Sequence, residues 1–344
     1  MKAPLLAAAA AATAACIAAP VAVAGEASPT LAEVQARETL RCGVNPGLAG
    51  FAFEDVNGVW QGFDVAYCRS IAAAVLGDPQ AVSFVPVSVQ TRFVALETGE
   101  VDVLMRDTPW TFTGDVDFAV NFVAISYFDT LGFLIGREHG AASVLDLERP
   151  HVCYLAGSSA EAGVAEFFRA AGAEFEGVPL ASGGEAQLHY LSGGCDVYAA
   201  GVATLAATRA SFAEPEQHVV LSETGAKEPL GIAVRDSDGH WADIVRWVHF
   251  ALVAAEELGI TTANIAELAQ GSEKPEVARL LGIKGDYGAM LGLDDEWAIR
   301  AISAAGNYGE IFAGTIGEGT PIGLPRGLNA LWTQGGLHYA PPFR

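Results

Sequence analysis

One wiring pattern occurs twice in this chain, and it limits the fold more than any other feature. In the first half, Leu40–Val44 reads as a strand, Val65–Leu76 as a helix and Val82–Val87 as a second strand. Thr91–Glu97 then reads as a short helix and Val101–Leu104 as a third strand. The long helix shows Val65, Cys68, Ile71, Ala72, Val75 and Leu76 at helical spacing, with Gly77 as a C-terminal stop. The order returns further on, as strand His151–Leu155, helix Ser158–Ala170, strand Phe175–Leu180, helix Glu185–Leu191 and strand Cys195–Tyr198. Even the segment from Gly99 to Leu104 echoes the one from Gly193 to Tyr198. Strands that alternate with helices imply parallel pairing through crossover helices, and two copies are too few for a solenoid. The expected fold class is α/β, with two Rossmann-like lobes built on mixed sheets.

Between the copies, Phe128–Arg137 and Leu230–Arg235 are apolar and extended, and are expected to be the two strands of a hinge. Trp241–Leu258 is an amphipathic helix that would return the chain to the first lobe, and a further helix is expected near Asp294–Ala305. The expected division is residues 1–24 as a leader, 25–132 and 236–344 as the first lobe with a C-terminal extension, and 133–235 as the second lobe. Ligands of open α/β sheets sit beyond the carboxyl ends of the strands. Two facing lobes therefore place a pocket between them, lined by the loops after Val44, Leu104, Leu155 and Tyr198.

The leader has Lys2, an Ala/Leu-rich run from Leu5 to Ala19, and the small-x-small triplet Ala22-Val23-Ala24. This reads as a cleaved secretory signal; the alternatives are a membrane anchor, for which the run is short and broken by Pro20, and a lipoprotein start at Cys16. Export makes disulfides permissible. Removing Cys16 leaves Cys42, Cys68, Cys153 and Cys195. The local pairing is Cys42–Cys68 with Cys153–Cys195, one bridge per lobe, but four cysteines allow three pairings and the sequence does not choose. A zinc site is disfavoured by the cysteine spacing, so no metal is expected.

The formal net charge of −22 argues against nucleic acid or an anionic membrane surface as partner. There is no P-loop, and Gly317-Glu318-Gly319 does not extend into a dinucleotide fingerprint. Ser158 and Ser159 follow Gly157 without nucleophile-elbow spacing, and the seven histidines are scattered. No catalytic residue and no cofactor are expected.

Several segments resemble the general L-amino-acid periplasmic binding proteins of polar-amino-acid ABC transporters. They are Cys42-Gly43-Val44-Asn45-Pro46-Gly47, Trp60-Gln61-Gly62-Phe63-Asp64-Val65, Lys227-Glu228-Pro229-Leu230-Gly231, Asn307-Tyr308-Gly309-Glu310-Ile311-Phe312 and Arg326-Gly327-Leu328-Asn329-Ala330-Leu331-Trp332. The four remaining cysteines also fall where that subgroup carries them, and the likeness covers nearly the whole mature chain. It implies the type II periplasmic binding protein fold, periplasmic location, a small-molecule ligand, an ABC permease as partner and a monomeric receptor.

The resemblance also implies a pocket that grips an α-amino acid by an arginine after the third strand and an aspartate after the matching strand of the second lobe. Here those positions fall on Gly114 and Gly201, and a helping hydroxyl falls on Pro109. Losing two charge-assisted contacts would cost on the order of two to four decades in affinity unless other groups compensate. The expected substitutes are Arg106 and Asp107, either as displaced clamps or as a surface pair, and the helix start at Ser158 and Ser159 as an anion site. Leu48, Phe51 and Phe53 would form an apolar wall, with Asn45, Trp110, Thr111 and Leu155 beside the ligand. Two rival readings stand beside the receptor. One is a cyclohexadienyl-dehydratase-like enzyme with Glu54 or Asp107 as general acid. The other is a sensory protein that has lost its ligand.

Overall fold

The computed structural model describes residues 28–344 except 222, 224 and 225. The expected signal peptide and Cys16 lie outside the described residues. The first lobe opens with helix α1 (Pro29–Arg37), which starts where the Ser28 side chain accepts from the Leu31 amide and proline takes the first helical position. Strand β1 (Leu40–Val44) follows, then a hairpin of β2 (Phe53–Glu54) and β3 (Trp60–Gln61). Helix α2 (Phe63–Leu76) ends at Gly77, whose φ of 78° supplies the left-handed stop. Strand β4 (Val82–Pro86), helix α3 (Arg92–Glu97), strand β5 (Val103–Leu104) and helix α4 (Phe112–Val116) complete the first copy of the pattern.

Strand β6 (Val120–Gly136) runs out of the first lobe into the second. There β7 (His151–Leu155), α5 (Ser159–Ala171), β8 (Glu176–Leu180), α6 (Gly183–Leu191), β9 (Val197–Gly201), α7 (Val202–Ala210) and β10 (His218–Leu221) form the second copy. Strand β11 (Lys227–Arg235) and helix α8 (Gly239–Leu258) bring the chain back. The strands connect in the order β4-β1-β5-β11-β6-β9-β7-β8, with β10 paired to β6. Within each lobe the outer pairs are parallel, β1 with β4 and β5, and β7 with β8 and β9. β6 is antiparallel to β11, β9 and β10.

The hinge is longer than the apolar runs suggest. β6 begins at Val120 rather than Phe128, because β11 pairs along its whole length, from Lys227 against Thr130 to Arg235 against Val120. β11 lies within the range expected for the second lobe, yet Ala233 pairs with Leu104 in the first. β11 is thus itself a crossing strand, paired with β6 from Lys227 to Arg235 and reaching the first-lobe strand β5 at Ala233.

The cysteines pair as Cys42–Cys68 and Cys153–Cys195, with Cα atoms 6.1 and 5.8 Å apart, one bridge tying β1 to α2 and the other holding β7 beside β9. Among the described residues, the grouping that comes near a metal-binding arrangement is Cys153, His189 and Cys195. Its two sulfurs are spent in the bridge. No helix among the described residues is long and apolar enough to cross a membrane.

The C-terminal extension packs on the first lobe. Phe343 is buried against Trp247 and Trp297, and Arg326 pairs with Glu256 at 3.0 Å. Asn329 bonds both the amide and the carbonyl of Phe128, at 2.7 and 3.1 Å, so the extension holds the hinge strand β6 by its backbone.

Candidate functional site

A cavity of about 450 Å3 lies between the lobes, in the size range of sites that bury small ligands. Its first wall is the loop after β1 (Asn45 to Leu48), the loop from Ser88 to Gln90, Arg92 at the start of α3, and Arg106, Asp107 and Pro109 after β5. Its second wall is the loop after β7 (Leu155, Ser158, Ser159), the start of α6, and Tyr198 to Gly201 at the end of β9. The floor is the hinge itself, with Asp129 on β6 and Glu228 and Leu230 on β11. All four loops expected to meet at the cleft do so. Across it, Gln90 donates from its side-chain nitrogen to the carbonyl of Ala156 at 3.2 Å, a direct link between the lobes.

Of the residues singled out in the sequence, Asn45, Leu48, Arg106, Asp107, Leu155, Ser158 and Ser159 line the cavity. The other four do not. Phe51 is fully buried against Phe63 and Tyr127 in the core of the first lobe. Phe53 lines a separate groove with Arg69 and Ile322. Trp110 stacks on Phe122 with ring centroids 5.3 Å apart, and its amide donates to the Pro229 carbonyl. Thr111 is spent as the cap of α4, accepting from the Gly114 amide at 3.1 Å. The Phe51 ring was drawn inward because burying it gains more than lining a wet cleft. Of the two acids named for the enzyme alternative, Glu54 is exposed on β2 and outside the cavity, while Asp107 lines it.

The Arg106–Asp107 pair is both in the cleft and internally paired. Arg106 is 6% exposed, its Nε donates to the Val87 carbonyl at 2.8 Å, and its Nη1 lies 3.5 Å from Asp107 Oδ1. The same Asp107 oxygen accepts from Asn45 Nδ2 at 3.0 Å. Asp107 takes φ of 41°, a left-handed conformation that a non-glycine residue adopts only when its surroundings hold it there. Beside it lies Asp64, buried at the start of α2 with its Oδ2 lacking a hydrogen-bond partner. Burial, and then the nearby Asp107 charge, push the Asp64 carboxyl up to about 8.

Three charged groups of the cleft were missed in the sequence. The first is Arg92. Its Nη1 donates to the Val89 carbonyl at 2.7 Å, its guanidinium lies over the Phe93 ring at 4.7 Å, and its Nε is buried without a partner. Burial, then repulsion from Arg106, lower its pKa to about 10. The others are Asp129 and Glu228. Asp129 accepts from the Thr130 amide at 2.9 Å and from the Ala203 amide at 3.1 Å. Glu228 accepts from the Ser159 hydroxyl at 2.6 Å, so the acid held at the start of α5 is one of the protein's own. Burial pushes the Asp129 carboxyl up to about 7, with Glu228 and Asp107 adding repulsion. Burial also raises Glu228. For Asp129 the readable signal was a lone acid within an apolar hinge strand, since such a charge is costly to bury without a task; Glu228, beside Lys227 and outside the apolar run Leu230–Arg235, carried no such signal.

Taken together, the cleft sets two guanidinium groups on one wall against buried carboxylates on the floor. That arrangement can hold a molecule bearing both a carboxylate and an ammonium.

Comparison with known proteins agrees with this geometry. Residues 40–115 match the profile of the bacterial extracellular solute-binding proteins, family 3. The chain is 51% identical to the glutamate/glutamine/aspartate/asparagine-binding protein of Rhodobacter capsulatus, over 94% of this chain and 96% of that one. It is 42% identical to the general L-amino acid-binding periplasmic protein of Rhizobium johnstonii, over 92% and 93% of the two chains. A periplasmic binding protein from Brucella ovis with glutathione bound superposes with a TM-score of 0.90 at 45% identity, covering 93% of this chain and all of that one. These relatives are binding proteins rather than enzymes. The chain belongs to the bacterial extracellular solute-binding proteins of family 3, in the branch whose members are amino-acid-binding receptors of ABC transporters.

Proposed function

We propose that this chain is an exported receptor that captures a zwitterionic solute between its lobes and hands it to an ABC permease. The solute is an α-amino acid, or a small peptide that keeps a free α-amino acid end. One observation carries the reading: the interlobe cavity presents Arg92 and Arg106 on one wall and Asp129 and Glu228 on its floor. A carboxylate bound to a guanidinium and an ammonium bound to a carboxylate are the strong, directional contacts such a solute offers. The losses at Gly114 and Gly201 are thereby made good from other elements. The relatives' names favour glutamate, glutamine, aspartate and asparagine, the glutathione-bound neighbour favours a γ-glutamyl peptide, and the cavity has room for either.

The test is a calorimetric titration of the mature, ligand-stripped protein with those four amino acids and with glutathione, alongside thermal melts. A ligand present at about 100 times its dissociation constant adds about 2.7 kcal/mol to the state it binds. One or more of the five should bind with a clear rise in melting temperature. No binding by any of them would sink the reading.

A further inference from the structure

Asp129 and Glu228 stand directly opposite each other on the two hinge strands. They are 8% and 5% exposed and both line the cleft. Like charges facing each other across a strand pair repel, and burial removes the water that would screen them. Among the described residues neither forms a salt bridge. Their donors are neutral, two amides and a hydroxyl, which solvate the carboxylates without cancelling their charge.

Gly201 supplies the second observation. A Cβ built on it would lie 2.5 Å from Asp129 Oδ2, nearer than real Cβ atoms come to any such neighbour. The corner of the cleft that a side chain at 201 would enter is already filled by the carboxylate of Asp129, reaching in from the hinge. Glycine at 201 and aspartate at 129 are therefore one device.

We infer that the Asp129–Glu228 pair receives the ligand's ammonium group, and that this binding point has moved from the end of β9 to the hinge. The inference rests on the reading above, that the ligand carries a free α-amino group. Its placement couples capture to closure. The carboxylates belong to the strands on which the lobes pivot, while Ala203 and Ser159, which complete the site, belong to the second lobe. A cation seated there removes repulsion within the hinge and favours the arrangement in which both lobes contribute donors.

The test compares wild type with Asp129→Asn and Glu228→Gln, using whichever of glutamate, glutamine, aspartate, asparagine or glutathione binds wild type. Each substitution should weaken binding roughly 10- to 150-fold, the loss of one charge-assisted contact. The ligand-free variants should melt no lower than wild type, because a repelling buried charge has been removed. A merely structural acid would give the opposite sign. A second arm needs no variant: the ligand with its amino group deleted, such as glutarate in place of glutamate, should bind wild type at least tenfold more weakly. Binding by both variants within threefold of wild type, or equal binding of the deaminated probe, would overturn the inference. Failure of all five ligands to bind wild type would instead overturn the reading on which it rests.

Discussion

If Asp129 has taken the corner that a side chain at 201 would use, then restoring aspartate at 201 should harm this protein. The backbone is not the obstacle. Gly201 has φ of −59° and ψ of 143°, which any residue adopts. The obstacle is steric and electrostatic. A Cβ would sit 2.5 Å from Asp129 Oδ2, half an ångström inside the 3.0 Å that real Cβ atoms respect. Asp129 cannot simply swing away, because the Thr130 and Ala203 amides hold its oxygens. Forcing extra atoms into a packed site costs about 1–3 kcal/mol. A third carboxylate beside two others adds a repulsion of up to about 4 kcal/mol at 4 Å and an effective dielectric near 20, much of it relieved by proton uptake. Gly201→Asp should therefore lose roughly 2–4 kcal/mol of stability, or about 5–15 °C in melting temperature at roughly 2–4 °C per kcal/mol. It should also bind amino acid at least tenfold more weakly. Gly201→Ala separates the two effects, since it adds the clash without the charge. The double variant Gly201→Asp/Asp129→Gly removes both and leaves one carboxylate in the same corner. It should recover more stability and affinity than the two single changes predict in sum, a coupling of at least 1 kcal/mol in a double-mutant cycle. If Gly201→Asp alone melts within a degree of wild type and binds as tightly, the corner is open and the argument from Gly201 fails.

Three further outcomes are expected. Arg92→Met keeps the apolar stem over Phe93 but removes the guanidinium, so ligand affinity should fall roughly 10- to 150-fold with the melting temperature held; unchanged affinity would remove Arg92 from the site. Asp64, at about 8 in the folded protein against an ordinary 3.8, contributes stability that is fully present below pH 4 and is lost as pH rises toward 8. Asp64→Asn has nearly the same shape but cannot ionise, so its melting temperature should gain on that of wild type steadily between pH 4 and pH 8; a difference that does not vary with pH would contradict the assignment. Replacing Cys153 and Cys195 by alanine opens a crosslink of sequence separation 42 and should cost about 4 kcal/mol, and the same change at Cys42 and Cys68, separation 26, about 3.5 kcal/mol. Denaturant midpoints that do not move would show that the bridges add little.

How far the sequence foretold this site depended on what each residue's neighbours in the chain could reveal. Topology was legible because it is written in period and order: strands alternating with helices, twice over, bring the loops after Val44, Leu104, Leu155 and Tyr198 together whatever their residues. The disulfide partners were narrowed but not chosen, since spacing along the chain does not state which β-carbons meet. Phe51 does not join the cleft because a glycine-rich loop can turn its rings to the cleft or to the core, and only the packed neighbours Phe63 and Tyr127 decide, while Phe53 turns to a separate groove. Arg92 was passed over because one charge on a short helix reads as a solvated face. Its burial is a tertiary fact, set by Phe93 beneath it and Arg106 beside it.

Asp129 and Glu228 are more instructive. Asp129 was visible as a charge inside an apolar run, and with Glu228 it makes a costly feature: two buried acids face to face, neither in a salt bridge among the described residues. Burying one uncompensated carboxylate already opposes folding by several kcal/mol unless it takes up a proton. A chain that needed only a hinge would place β-branched or aromatic residues at both positions. The acids make sense when the missing cation arrives with the ligand. On this argument the ligand-free receptor stores repulsion at its pivot and capture of an ammonium discharges it, so that binding and closure become a single event.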